Sequence, residues 1–315
     1  MQKERINGRP VADELMKEGA AMRLGTRGSS LALTQAEAVS RLISAHLPGT
    51  RVEIVVIKTE GDAGVAAKGG DRKLAFTKEI DRRLLKGDVD IAVHSLKDVP
   101  STLDSGIAIA ATPPRADPRD VMVTASGKRL SDLPEGSAVG TGSIRRKVQL
   151  RALRPGLEVV EVRGNVETRI GKLRGGSISG VVLAAAGLER LGMTSQVSQY
   201  FAAEEMVPAA CQGTLAVMTR AEDRRMLKAM QGIDDAATHA ESLCERTFLE
   251  RLGGDCNFPA GVYAKAAGER LRVVGMLSDA DGASLVRGSM SGDASGPEEV
   301  GRALAERLLG RGGLA

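Results

Sequence analysis

Three short loops in this chain repeat one design. Thr26-Arg27-Gly28-Ser29-Ser30 leads into an apolar-periodic stretch over 31–46. Gly140-Thr141-Gly142-Ser143-Ile144-Arg145-Arg146-Lys147 opens another over 144–153, and Arg163-Gly164-Asn165-Val166-Glu167-Thr168-Arg169 opens a third over 166–173. Each sets small polar residues beside arginine at the predicted first turn of a helix. That turn leaves backbone N–H groups unpaired and carries the positive end of the helix dipole. Glycine admits an anion close to the backbone, hydroxyls add donors, and guanidinium forks onto carboxylate or phosphate. Taken singly, each loop is more often just an N-cap beside a solvated arginine. Together they favour an anionic ligand held by Arg27, Arg145, Arg146, Arg163 and Arg169. Neither GxxxxGK[ST] nor GxGxxG occurs, so a polycarboxylate fits better than a nucleotide.

Two further segments offer reactive groups. Asp90-Ile91-Ala92-Val93-His94-Ser95-Leu96-Lys97-Asp98-Val99-Pro100 reads as a buried strand ending in polar residues, with Ser95, Lys97 and Asp98 at its mouth. An aspartate among cations stays ionised, and could steady a developing cation or move protons. The plainer alternative is a surface Lys–Asp pair or a turn cap. His94, lone within the strand, reads as a packed, hydrogen-bonded histidine. Gly253-Gly254-Asp255-Cys256-Asn257-Phe258-Pro259-Ala260-Gly261 places a thiol among turn formers, where it has little to pack against. By contrast, Cys244 shares a helical stripe with Ala240, Leu243 and Phe248, and Cys211 precedes an apolar run; both read as packed.

The elements that must position these groups alternate. Strands are predicted over 52–58, 90–94, 107–111, 121–124, 157–162, 181–185 and 215–219, and helices over 31–46, 76–86, 144–153, 166–173 and 220–230. Continuous apolar strand runs point to a mainly parallel sheet buried on both faces, hence an α/β architecture. In such sheets, loops at the carboxyl ends of strands gather ligands. The Pro-rich stretch Thr112–Pro118 and the turn near Gly232–Asp235 mark boundaries. Beyond the second come a helix over 236–252, strands over 262–265, 271–277 and 284–289, and a helix over 298–309, the pattern of a small α+β domain. Residues 1–21 are charged and non-periodic, and read as a disordered extension.

Composition narrows the functional classes. A net charge of +4 with 2% aromatics and no Trp argues against a nucleic-acid platform. Three cysteines without CxxC spacing argue for a reducing, cytoplasmic setting rather than a disulfide framework. Three scattered histidines give no metal-like cluster, and no apolar run reaches membrane-spanning length.

From about Met22 to the last helix, the chain resembles the porphobilinogen deaminase (hydroxymethylbilane synthase) family. The motifs RLGTRGSSLALTQA, DIAVHSLKDVP, GTGSIRRKVQL, VRGNVETR, AAAGLERLG, VPAACQGTLAV and LGGDCNFPAGVYA carry the resemblance, in that order. It implies two periplasmic-binding-protein-like domains with mixed sheets and a small α+β C-terminal domain. The first would comprise 22–113 and 214–231, the second 118–208, and the third, the cofactor-attachment domain, 235–315. It implies a transferase of heme and porphyrin biosynthesis that joins four molecules of porphobilinogen into hydroxymethylbilane with loss of ammonia. The primer would be a covalently bound dipyrromethane, with its thioether on Cys256 and with Asp98 as the catalytic carboxylate. Loss of ammonia leaves a cationic azafulvene, which a fixed anion stabilises. Arg27, Arg145, Arg146, Arg163 and Arg169 would hold acetate and propionate groups or support chain growth, and Arg190 matches a further arginine of the family's binding set. Ser29, Lys73, Ser95, Lys97, Thr141, Ser143, Gly164, Asn165 and Gln212 would line the site. No metal, nucleic acid or membrane is implied, and the enzyme would be a monomer.

The loop of Cys256 is consistent with that role. It follows the C-terminal end of a helix, whose negative dipole end disfavours a thiolate, so the cysteine suits a tether alkylated once rather than a recycled nucleophile. The chain departs from the family pattern GGKGLFTKE, reading Gly69-Gly70-Asp71-Arg72-Lys73-Leu74-Ala75-Phe76-Thr77-Lys78-Glu79. It also has Cys211 and Asp255 where small residues are common. Two other classes stand beside the deaminase: a polycarboxylate-binding protein of related fold without catalysis, and a cysteine-nucleophile hydrolase.

Overall fold

The computed structural model describes residues 5–6, 9–10, 21–59, 74–253 and 259–312. Of the N-terminal extension it describes residue 21 and a two-residue antiparallel pairing of Arg5–Ile6 with Arg9–Pro10. Lys73, Asp255 and Cys256 lie outside the described residues.

The first elements are β1 (Met22–Thr26), α1 (Ser30–His46), β2 (Val52–Val56), α2 (Leu74–Leu85), β3 (Ile91–Ser95) and β4 (Ile107–Ala111). There follow β5 (Asp120–Thr124), β6 (Ala138–Gly140), α3 (Ile144–Leu153), β7 (Glu158–Val160), α4 (Val166–Arg174), β8 (Gly180–Ala184), α5 (Ala185–Arg190) and β9 (Gln199–Tyr200). The chain continues with β10 (Leu215–Arg220), α6 (Arg224–Met230), α7 (Ala236–Arg251), β11 (Ala260–Ala267), β12 (Arg270–Leu277), β13 (Val286–Asp293) and α8 (Pro297–Gly312). These elements form two compact units, one of Met1–Arg115 with Thr214–His239, the other of Ala116–Gly213 with Ala240–Ala315.

The first unit holds a five-stranded sheet in the order β2-β1-β3-β10-β4. Strand β1 pairs in parallel with β2 and β3, whereas β10 runs antiparallel to β3 and β4. The sheet is therefore mixed, not mainly parallel as the apolar runs suggest: such runs report burial on both faces but not strand direction. Helix α1 buries Gln35, Ala36, Val39 and Ile43, one stripe at helical spacing. That stripe packs on Met22, Leu24, Ile91 and Val217. Each fully buried aliphatic side chain contributes about 1.5–3 kcal/mol.

The second unit has a mixed sheet ordered β9-β5-β8-β6-β7. Alternation along β5 and β8 divides the core. Val121, Val123, Val181 and Leu183 face Ile170, Leu173 and Leu188, while Met122 and Val182 face Leu150, Phe201 and Met206. The antiparallel sheet β11-β12-β13 packs with α8 in the small α+β part. There α7 and α8 approach closely: a Cβ on Gly301 would come 2.2 Å from the Cys244 carbonyl oxygen.

The α/β class with a C-terminal α+β part is as expected, but several bounds differ. Helix α6 starts at Arg224, not Arg220, because Arg220 ends β10 and Asp223 caps the helix by accepting from Met226 N at 3.0 Å. Strand β7 keeps only three of the predicted residues 157–162, and the predicted strand 284–289 becomes β13. Elements β1, β6, β9 and α5 were not among those predicted.

Candidate functional site

In the first unit, the loop after β1 and the turn after β3 share one pocket. Arg27, Ser29, Gln35, His94, Ser95 and Asp98 line it. Ser29 caps α1 in extended conformation, accepting from Ala32 N at 3.4 Å. The helix N-terminus thus opens beside Arg27, as the loop pattern predicts. Asp98 closes the 3-10 turn Leu96–Asp98, which is pinned by Leu96 N donating to Thr214 O at 3.0 Å and Val99 N to Leu96 O at 3.1 Å. Gln35 donates from Nε2 to Ser95 Oγ at 2.8 Å and so locks the strand end to α1. Lys97 is half-buried in the same turn.

The pocket pairs a carboxylate with a guanidinium, hydroxyls and a helix N-terminus. Asp98 can accept from pyrrole N–H groups, while Arg27 and the N-terminus of α1 can receive carboxylates. A group with N–H donors on one edge and acid side chains on the other fits these residues.

In the second unit, the equivalent loop precedes α3. Ser143 caps this helix, accepting from Arg146 N at 3.4 Å, and its own N–H donates to Thr141 Oγ1 at 3.2 Å. Arg145 and Arg146 are almost fully buried and converge on Asp120, at 2.7 Å each. Arg145 also donates to Val207 O at 2.6 Å, and Arg146 to Val182 O at 2.9 Å. Gln212 completes the cluster, its Nε2 donating to Asp120 Oδ1 and Pro118 O, both at 2.8 Å. Burial pushes the Asp120 carboxyl up, but the two guanidinium groups outweigh it and hold the acid well below the usual carboxylate range. Burial lowers Arg145 despite its partner.

The third loop sits next to the second, with Val162 N donating to Thr141 O at 3.3 Å. Asn165 caps α4, accepting from Thr168 N at 2.8 Å and Thr168 Oγ1 at 2.6 Å. Gly164 has φ +110, and a Cβ there would meet Thr168 Cγ2 at 2.8 Å, so the turn requires glycine. Arg169 donates to Gly164 O at 2.8 Å, and the exposed Arg163 pairs with Glu161 at 2.7 Å. Arg190, at the end of α5, donates to Gly213 O at 2.7 Å, and burial lowers its pKa to about 10.

The structure therefore brings Arg27, Ser29, Ser95 and Asp98 together in one unit. In the other it gathers Thr141, Ser143, Arg145, Arg146 and Gln212, with Arg163, Gly164, Asn165 and Arg169 on the neighbouring loop. Sequence reasoning passed over Gln35 and Asp120. Both carried a signal: a polar residue on the apolar stripe of a helix, and an acid opening an apolar strand. His94 is buried as expected, but its Nε2 lacks the expected hydrogen bond. Cys211 and Cys244 are buried, and burial pushes the Cys244 thiol up strongly. Cys211 is the one non-glycine residue at positive φ among the described residues, at +59. Its N–H donates to Glu245, a buried acid that also accepts from Ala264 N at 2.7 Å.

Comparison with known proteins adds an independent line. Residues 22–228 match the family model described as porphobilinogen deaminase, dipyromethane cofactor binding domain, and residues 239–310 match the porphobilinogen deaminase C-terminal domain. A protein named porphobilinogen deaminase in Syntrophus aciditrophicus is 44% identical, with 93% of this chain and 96% of that protein covered. Its namesake in Clostridioides difficile is 43% identical over 91% of this chain and 96% of its own length. Among solved structures the likeness is looser. The substrate binding domain 2 of Lactococcus lactis GlnP, in an open conformation, shares 12% identity over 69% of this chain and 90% of that one, with a TM-score of 0.45. No helix among the described residues is long and apolar enough to cross a membrane.

Proposed function

Because this chain belongs to the porphobilinogen deaminase family, we propose that Asp98 is its catalytic carboxylate and Cys256 its cofactor anchor. The function is that of a transferase of tetrapyrrole biosynthesis, the hydroxymethylbilane synthase activity, and its cofactor is dipyrromethane. Bound, that group supplies the pyrrole primer from which the product chain is extended.

The observation that carries the reading is the pocket of Arg27, Ser29, Ser95 and Asp98. Asp98 holds a negative charge where ammonia leaves the substrate and a cation develops, and a fixed anion lowers that barrier. Its turn is tied at both ends, so little reorganisation accompanies the charge change. Arg27 and the N-terminus of α1 receive substrate carboxylates. Lys73, Lys97, Arg163, Arg169 and Arg190 serve the acid groups of substrate and product, and Thr141, Ser143, Gly164 and Asn165 shape the loops that present them. Arg145, Arg146 and Gln212 join that set through the Asp120 cluster. The chain reads as three domains, 22–113 with 214–231, 118–208 and 235–315, acting as a cytoplasmic monomer. A polycarboxylate-binding protein without catalysis is not favoured, since the relatives are named for the enzyme.

Intact mass tests the assignment. The purified chain carries an excess equal to two linked pyrrole units, and Cys256→Ser abolishes it. An active protein of unmodified mass would overturn the reading.

A further inference from the structure

Gln149 on α3 is fully buried, and its side-chain amide closes on a single residue of another segment. Its Nε2 donates to Val207 O at 3.1 Å, and its Oε1 accepts from Val207 N at 2.8 Å. An amide that meets both backbone groups of one residue fixes that residue as a strand partner would. The same Nε2 donates to Arg145 O, one turn earlier in α3, at 3.3 Å. An apolar side chain here would leave the buried Val207 N–H without this partner, at a cost in stability.

Val207 and Pro208 in turn carry the start of β11. Pro208 O accepts from Val262 N at 3.0 Å. Gly261 approaches so closely that a Cβ would lie 2.8 Å from both Val207 O and Pro208 O, and 3.0 Å from Arg145 Cδ. Glycine is what permits that approach. Alongside, Val148 of α3 packs with Val207 and with Val274 and Met276 of β12. Ser278 N donates to Pro259 O at 3.0 Å, so the chain is tied down as far back as the third residue after Cys256. Three residues span at most about 11 Å.

We propose that Gln149 is a positioning residue for cofactor attachment. Through Val207 and Pro208 it sets where β11 begins, and with it the point from which the Cys256 tether reaches. The inference rests on Cys256 being the anchor, as proposed above. Gln149 acts through backbone and touches neither thiol nor cofactor. Reacting groups need placement to within about 0.5 Å, and a misplacement of about 1 Å can cost about 100-fold in rate. A clamp on the strand that follows the thiol supplies that placement from α3, an element far away in sequence.

Covalent loading tests this apart from turnover. Full-length chain made in a host that produces no porphobilinogen is mixed with porphobilinogen, and intact mass follows the excess of two linked pyrrole units. Gln149→Met keeps most of the volume, removes both hydrogen bonds to Val207, and slows loading by about tenfold or more. Gly261→Ala pushes β11 off the two carbonyls and slows loading likewise. The double variant is no slower than the slower single one, since both break one contact. Iodoacetamide alkylation of Cys256, read on its peptide, stays within about twofold of wild type in each, because the thiol's own chemistry is unchanged. Val181→Ala destabilises the core of the same unit and leaves loading within about twofold. Wild-type loading in Gln149→Met, equal slowing in Val181→Ala, losses that multiply, or iodoacetamide reactivity falling in step with loading would each overturn the proposal. A wild-type chain that gains no mass, or gains it without Cys256, would instead overturn the functional assignment.

Discussion

The loops before α1 and α3 have the same wording in sequence and opposite fates in structure. Each ends in a serine cap beside arginine. In the first unit the arginine borders a pocket that also holds Asp98. In the second, two arginines turn inward and neutralise a buried aspartate. What differs is the strand alongside: β5 opens with Asp120, while the strand ends around α1 offer Ser95 and Thr26. An arginine in a helix-start loop is thus directed by the nearest buried acid, a non-local feature that the loop itself does not encode. One unit sets its arginine on the wall of a pocket. The other sets two arginines and Gln212 around a buried acid.

The largest expected effect breaks the second arrangement. Asp120→Asn leaves two buried guanidinium groups without their counter-charge and lowers stability by about 3–5 kcal/mol, read from denaturant unfolding. The pH dependence follows from the depressed Asp120 carboxyl. Its contribution is complete above the ordinary aspartate value of about 3.9 and is lost as pH falls below it toward the folded value. Acid unfolding of the wild type and of Asp120→Asn therefore converge at low pH, and a gap that stayed constant would contradict the cluster's role. Next in size, Asp98→Asn lowers kcat by about 100-fold or more while leaving the melting temperature alone. Loss of fold without loss of chemistry in the first unit, or the reverse in the second, would erase the contrast.

Smaller effects sharpen it. Arg163→Ala removes an exposed guanidinium whose present partner is a surface acid, so stability changes by no more than about 0.5 kcal/mol. Its kcat/KM falls about tenfold if one charge-assisted contact to substrate is lost, measured by steady-state kinetics. Last come the caps. Ser29→Ala and Ser143→Ala each cost about 1 kcal/mol of stability, read by thermal melting. Ser29→Ala also raises KM, since Ser29 borders the Asp98 pocket.

Much of this was legible in the chain. Helical periodicity gave α1, α3 and α4 to within a residue or two at either end, and the apolar run 107–111 is β4 as predicted. What escaped had physical causes. In β1, Arg23, Gly25 and Thr26 interrupt the apolar run, and the strand is recognised only by its partners on both sides. Strand β6 is three residues long, set by pairing with β8 and β7 rather than by composition. The direction of β10 is invisible to a period-two pattern, since both directions bury the same faces. The candidate residues Arg27, Ser29, Ser95 and Asp98 were legible because their loops are local. The burial of Arg145 and Arg146 was not, because Asp120 and Gln212 lie far along the chain from them and from each other.

Glu245 offers a last consequence, one of timing. A single carboxylate on α7 holds the backbone N–H of Cys211, in the turn before β10, and that of Ala264, in the middle of β11. These stretches are distant in sequence, and neither amide is protected by the acid until α7 has docked against both. Their hydrogens should therefore exchange with solvent at matching rates, as members of one cooperative opening, rather than at rates set by the turn and the strand separately. Read as a pair, they would report when the C-terminal sheet and the Cys211 turn commit to one another during assembly.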